Sequence, residues 1–213
     1  MEIKFIDILE FIGTFAFAIS GVRLASAKRF DWFGAYVVGL ATAVGGGTIR
    51  DLLLDIQPFW MLNSSYLIFT AIAFFFVIIF RKNLIRLNST FFLFDTIGLG
   101  LFVVVGFNKT LIEGYPYWVA TVMGMLTGAA GGVIRDILIN EEPLIFRKEI
   151  YASACLLGGL VFGVCDAMGM DIILTQIISA ASVVITRLLA AKYQLCLPVL
   201  KGEEETPSTN KRR

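Results

Sequence analysis

Two stretches of this sequence set glycines beside an arginine and an aspartate inside apolar segments: Gly45-Gly46-Gly47-Thr48-Ile49-Arg50-Asp51 and Ala130-Gly131-Gly132-Val133-Ile134-Arg135-Asp136, 85 positions apart. A glycine in a helix interior costs about 1 kcal/mol relative to alanine, so an unwound or kinked segment is expected at each. A charge at membrane depth costs about 2.5–3.5 kcal/mol unless a partner or water offsets it. Carbonyls freed at such a break can hold a cation, and freed amides can hold an anion. The candidate path and gate residues are therefore Gly45, Gly46, Gly47, Thr48, Arg50 and Asp51, with Gly131, Gly132, Arg135 and Asp136 in the second copy. Neighbours on a helix diverge by about 100°, so each arginine can pair with its own aspartate or with an acid elsewhere. Asp7 and Asp95, 88 positions apart, are candidate acids at two pore mouths, or acids at helix N-termini where the dipole favours them. Ser20, Thr42, Asn108 and Thr127 are weaker candidates, since such residues are common in membrane helix contacts.

The elements that must position these groups follow from composition. Of 213 residues, 57% are hydrophobic and 16% charged, and the mean hydropathy is +0.80, which describes an integral membrane protein. A spanning helix needs about 20 residues. Seven segments qualify: residues 5–23, 32–55, 64–81, 91–108, 116–139, 149–166 and 171–191. The fold class is thus all-α, with seven transmembrane helices.

Shifting residues 42–58 by 85 gives eight identities in seventeen positions, and Gly39/Gly124 and Tyr66/Tyr151 extend the repeat. The Asp7/Asp95 spacing implies three extra residues in the first loop of the first repeat. Three spans per repeat make the second enter from the opposite face, an inverted pair. The expected organisation is residues 1–88, a first three-helix repeat; 89–168, its inverted partner; 169–195, a seventh helix; and 196–213, a disordered tail. With Arg50 and Arg135 left out as lying at membrane depth, lysines and arginines number 14 on one side and 2 on the other, which puts the N terminus outside and the C terminus in the cytoplasm. Arg50-Asp51 then falls in the outer half and Arg135-Asp136 in the inner half.

Several functions are excluded by what the chain lacks. With no histidine there is no imidazole metal site and no Ser-His-Asp triad, and no Ser-Lys arrangement lies at depth, so an enzyme is not expected. Cys155, Cys165 and Cys196 form no CxxC pair. A net charge of +1 without a basic groove gives no sign of nucleic-acid binding. No cofactor is expected and no metal beyond transient potassium.

GGGTIRD in the second span, GGVIRD in the fifth and the 3+3+1 arrangement resemble the trimeric intracellular cation channel family in its prokaryotic branch, over about residues 5–191. The same class of sequences is also labelled as glycine transporters. The resemblance implies a homotrimer in a prokaryotic inner membrane, with one path per protomer between spans 1, 2, 4 and 5. It implies conduction of monovalent cations, chiefly potassium, past kinked spans 2 and 5. The Lys-Glu-Val lipid-binding signature of animal members has no counterpart here, so phosphoinositide regulation is not carried over. The residues themselves equally allow a secondary transporter of a small zwitterion such as glycine.

Overall fold

The computed structural model describes residues 4–86 and 90–198, apart from the side chains of residues 82, 83, 85 and 86. The expected tail therefore lies, beyond residue 198, outside the described residues. Among those described are seven helices of 16 residues or more: α1 (Phe5–Ala27), α2 (Trp32–Leu53), α3 (Ser65–Arg86), α4 (Thr90–Ile112), α5 (Tyr117–Leu138), α6 (Ala152–Ala167) and α7 (Ile172–Tyr193). Five of them, α1, α2, α4, α5 and α7, are long and apolar enough to cross a membrane, and α3 and α6 carry shorter apolar stretches, Ser65–Arg81 and Ala152–Ala167. The protein is an all-helical membrane protein.

Local chemistry sets the helix ends. The Asp31 carboxylate accepts from the Gly34 amide at 2.7 Å and opens α2, and Asp171 accepts from the Ile173 and Leu174 amides to open α7. Left-handed residues turn the chain after α1 at Arg29 (φ 60°) and after α4 at Gly114 (φ 83°). They turn it again after α2 at Asp55 (φ 57°) and after α5 at Asn140 (φ 56°). Each of these two pairs is 85 positions apart, so the repeat is visible in the backbone.

Helices α1, α2, α4 and α5 form the centre, with α1 against α2 and α4, and α5 against α2 and α4. Helix α3 packs on α1 and α2, α6 packs on α4 and α5, and α7 packs on α4 and α6. The central contacts are reciprocal. A Cβ on Gly46 would strike the Thr127 carbonyl oxygen, and one on Gly131 would strike that of Thr42. Gly21 lies against Gly39 and Thr42, and Gly106 against Gly124 and Thr127. Phe17 stacks on Phe102 with centroids 5.3 Å apart, and each ring also covers the glycine opposite, Gly98 or Gly13.

Two expectations are corrected here. Helix α2 runs unbroken through Gly45–Gly47 and α5 through Gly131–Gly132, so neither is broken at its glycines. The missing side chains make room for the facing helix, and backbone contact there outweighs the glycines' weak helix propensity. Secondly, the repeat keeps one spacing throughout. Gly13/Gly98, Phe17/Phe102 and Gly21/Gly106 are all 85 apart, so the first loop has no three-residue insertion and the counterpart of Asp95 is Glu10, not Asp7.

Candidate functional site

Each Arg-Asp pair closes on itself. Arg50 Nε donates to Asp51 Oδ1 at 2.7 Å, and Arg135 Nε donates to Asp136 Oδ1 at 2.8 Å. The second oxygen of each aspartate holds the chain that follows its helix: Asp51 Oδ2 accepts from the Phe59 amide at 2.8 Å, and Asp136 Oδ2 from the Leu144 amide at 3.1 Å. Those amides begin the one-turn helix Phe59–Leu62 and the 3-10 turn Leu144–Phe146. Both aspartates therefore anchor a loop as well as balancing a guanidinium.

Around Arg50 gathers a first buried cluster. Glu10 of α1 places Oε1 3.7 Å from Arg50 Nη2 and 2.8 Å from Lys109 Nζ, while its Oε2 accepts from the Tyr66 hydroxyl at 2.7 Å. Phe59 sits under both cations, 5.7 Å from the Arg50 guanidinium carbon and 5.0 Å from Lys109 Nζ. Two positive and two negative groups meet, which is how charges persist at membrane depth.

The second cluster has the same formal charge and is more deeply closed. Arg135 Nη1 donates to Asp95 Oδ1 at 2.5 Å and to Ser20 Oγ at 2.7 Å. Arg187 of α7 reaches Asp95 Oδ2 at 3.5 Å, between the rings of Phe92 and Tyr151 at 4.8 and 4.7 Å. Asp95 is 0% exposed, so it lies inside the cluster rather than on an open surface. Asp7, one turn of α1 before Glu10, accepts from the Lys4 amide at 2.9 Å and caps α1.

Between the clusters lie the Gly46/Gly131 crossing and the Phe17–Phe102 stack, with Thr42 and Thr127 buried beside them and donating to their own helices at Val38 O and Met123 O. Thr48 is likewise engaged, donating to Val44 O at 2.7 Å and accepting from Trp60 Nε1 at 3.0 Å. Gly45 accommodates Ile134, Gly47 the Phe59 ring and Gly132 the Tyr151 hydroxyl. Nη1 of Arg50, Nη2 of Arg135 and Nη1 of Arg187 are buried without a hydrogen-bond acceptor among the described residues. These donors are what the interior offers to water or a polar solute.

Beyond Asp136 a cavity of about 190 Å³ is lined by Phe91, Lys28, Glu141 and Arg147. Lys28 Nζ meets Glu141 Oε1 at 2.5 Å across it. That hydrogen bond, reinforced by the charges of Lys28 and Arg147, holds the Glu141 carboxyl below its ordinary pKa.

The structure brings together Arg50 with Asp51, and Arg135 with Asp136 and Asp95; Asp7, although only one turn before Glu10, makes no hydrogen bond or ion pair to either set among the described residues. Sequence reasoning missed Glu10, Lys109 and Arg187, and noticed Tyr66 and Tyr151 only as a repeat. A constant shift of 85 would have pointed to Glu10.

Comparison with known proteins gives matches of three kinds. The family model described as glycine transporter matches twice, at residues 7–82 and 92–167. The UPF0126 inner membrane protein YadS of Escherichia coli K12 is 38% identical over 199 residues, covering 92% of this chain and 96% of that protein. A TRIC trimeric intracellular cation channel orthologue from Rhodobacter sphaeroides superposes with a TM-score of 0.85 at 34% identity, covering 89% of this chain and 98% of that one. A second solved structure, described for conductance through TRIC cation channels, has a TM-score of 0.84 at 34% identity, covering 94% and 99%.

Proposed function

The chain belongs to the prokaryotic branch of the trimeric intracellular cation channel family, and from that premise we propose that it is a monovalent-cation channel, chiefly for potassium. Its path runs within each protomer of a homotrimer, between α1, α2, α4 and α5, past Gly45–Gly47 and Gly131–Gly132. The observation that carries this reading is the pair of neutral, buried clusters at equivalent places on either side of the Gly46/Gly131 crossing. A route past them offers carboxylates to a cation at both ends, and the packed phenylalanines at its middle describe a closed state.

Seven spans in two inverted repeats, residues 1–88 and 89–168, with α7 as the last span, make the first cluster outward and the second inward. The lysine and arginine distribution supports an inner-membrane protein with its N terminus outside and its C terminus in the cytoplasm. The Glu141 cavity is then the inner mouth.

A second reading is favoured by one observation. Nη1 of Arg50 and Nη2 of Arg135, which have no acceptor among the described residues, are donors suited to a carboxylate, as secondary transport of a zwitterion such as glycine would need. Purified protein in liposomes decides between the two when potassium flux and labelled glycine uptake are measured side by side. The channel reading expects potassium flux without saturable glycine uptake; gradient-coupled glycine uptake without ionic conductance overturns it.

A further inference from the structure

The Lys109–Glu10 pair differs from the other buried ion pairs among the described residues in having one partner partly exposed. Glu10 is 2% exposed, and with Oε2 committed to Tyr66 it turns Oε1 to the Lys109 ammonium. Arg50 Nη2, 3.7 Å from the same oxygen, is held by Asp51 at 2.6 Å. The Phe59 ring beneath the ammonium is fixed by its own amide on Asp51 and by Tyr66, whose ring meets it edge-on with centroids 4.5 Å apart. A fixed carboxylate oxygen beside a fixed aromatic face is a receptor for a compact monovalent cation. Its present occupant is tethered. Lys109 stands in the last turn of α4, with its side chain 26% exposed on a flexible four-carbon stem.

The second cluster contains nothing comparable. The position 85 before Lys109 is Leu24, and the second cation there comes instead from Arg187, whose side chain is 1% exposed and sandwiched between two rings. An Arg fork held that way stays in place.

We infer that Glu10 Oε1 and the Phe59 face form an exchangeable monovalent-cation site, occupied by the Lys109 ammonium until a potassium-class ion replaces it. Ammonium and potassium share one charge and a similar size, so exchange keeps Glu10 neutralised while Lys109 swings to solvent. This is the first binding step for a cation entering the path at that end. It deepens the cation-channel reading, and its test measures binding in detergent without any flux.

The full-length protein is heated in KCl and, at equal ionic strength, in N-methyl-D-glucamine chloride. Lys109→Ala empties the site, so its Tm is expected to be about 2–4 °C higher in KCl, with methylammonium chloride giving the same rise. Adding Glu10→Gln is expected to abolish the difference. Equal Tm values for Lys109→Ala in both salts, or a rise that survives Glu10→Gln, overturn the inference. The wild-type chain gives an independent measure, since displacement by potassium frees the amine: acylation of Lys109 by an N-hydroxysuccinimide ester is expected to be at least about two-fold faster in KCl. An unchanged rate overturns the inference even if the variants fail to fold.

Discussion

The cluster around Arg50 and the cluster around Arg135 use the same parts and close them differently. Each has an arginine bound to the next aspartate, an acid from the first helix of its repeat and a tyrosine 16 positions beyond the arginine. Each also recruits a second cation. Lys109, partly exposed, serves the first, and Arg187, enclosed by aromatic rings, serves the second. Equal charge count therefore conceals unequal mobility: one end of the proposed path has a cation that can be exchanged, and the other has a fixed one. Duplication supplied the shared parts, and the divergence lies in the cation each cluster borrows from outside its own repeat.

The largest effect separating the two is expected from Arg135→Ala. It strips Asp95 of its short contact and leaves only Arg187 at 3.5 Å, so thermal or denaturant unfolding in detergent should show a loss of about 3–5 kcal/mol. Arg50→Ala should lose less, about 1–3 kcal/mol, because Glu10 keeps both Lys109 and Tyr66. Equal losses would remove the distinction between the clusters.

Next come the parts the clusters share, where effects should match. Gly46→Ala and Gly131→Ala each drive a methyl into a backbone carbonyl, and about 1–3 kcal/mol of destabilisation is expected for both. Asp51→Asn and Asp136→Asn each weaken a buried charge-assisted clamp on the following loop, again by about 1–3 kcal/mol. Unfolding measurements on the four variants check this, and a large difference within either pair would mean that the repeats are not equivalent in energy.

The smallest effect is expected at the Lys28–Glu141 contact, which has no counterpart in the first repeat. Lys28 lowers the Glu141 pKa in the folded protein, so its contribution is present above the ordinary carboxylate pKa and is lost as pH falls through the lowered value. Glu141→Gln should remove that acid dependence and leave stability at neutral pH nearly unchanged.

Much of this arrangement was legible in the residues. The doubled GG-x-x-R-D stretch marked both sites, and hydropathy placed the helices. The departures share a physical cause. Glycine propensity predicted breaks at Gly45–Gly47 and Gly131–Gly132, but contact between α2 and α5 keeps both helices whole. Asp7 was matched with Asp95 because the residue types agree, yet packing follows register, and register selects Glu10. Lys109 and Arg187 looked like charges beside the membrane. Only the way α4 and α7 pack brings them onto Glu10 and Asp95, and no local pattern in the chain encodes that meeting.

The central claim is that cations pass the α2–α5 crossing between the two clusters, and one measurement tests it most directly. In a chain with Cys155, Cys165 and Cys196 replaced by alanine, Thr127→Cys places a thiol at the crossing, and potassium flux into liposomes is followed while a cationic methanethiosulfonate is added. The account predicts that modification, verified by mass, blocks the flux. Undiminished flux through fully modified protein, or steady flux past a thiol the reagent never reaches, would contradict it.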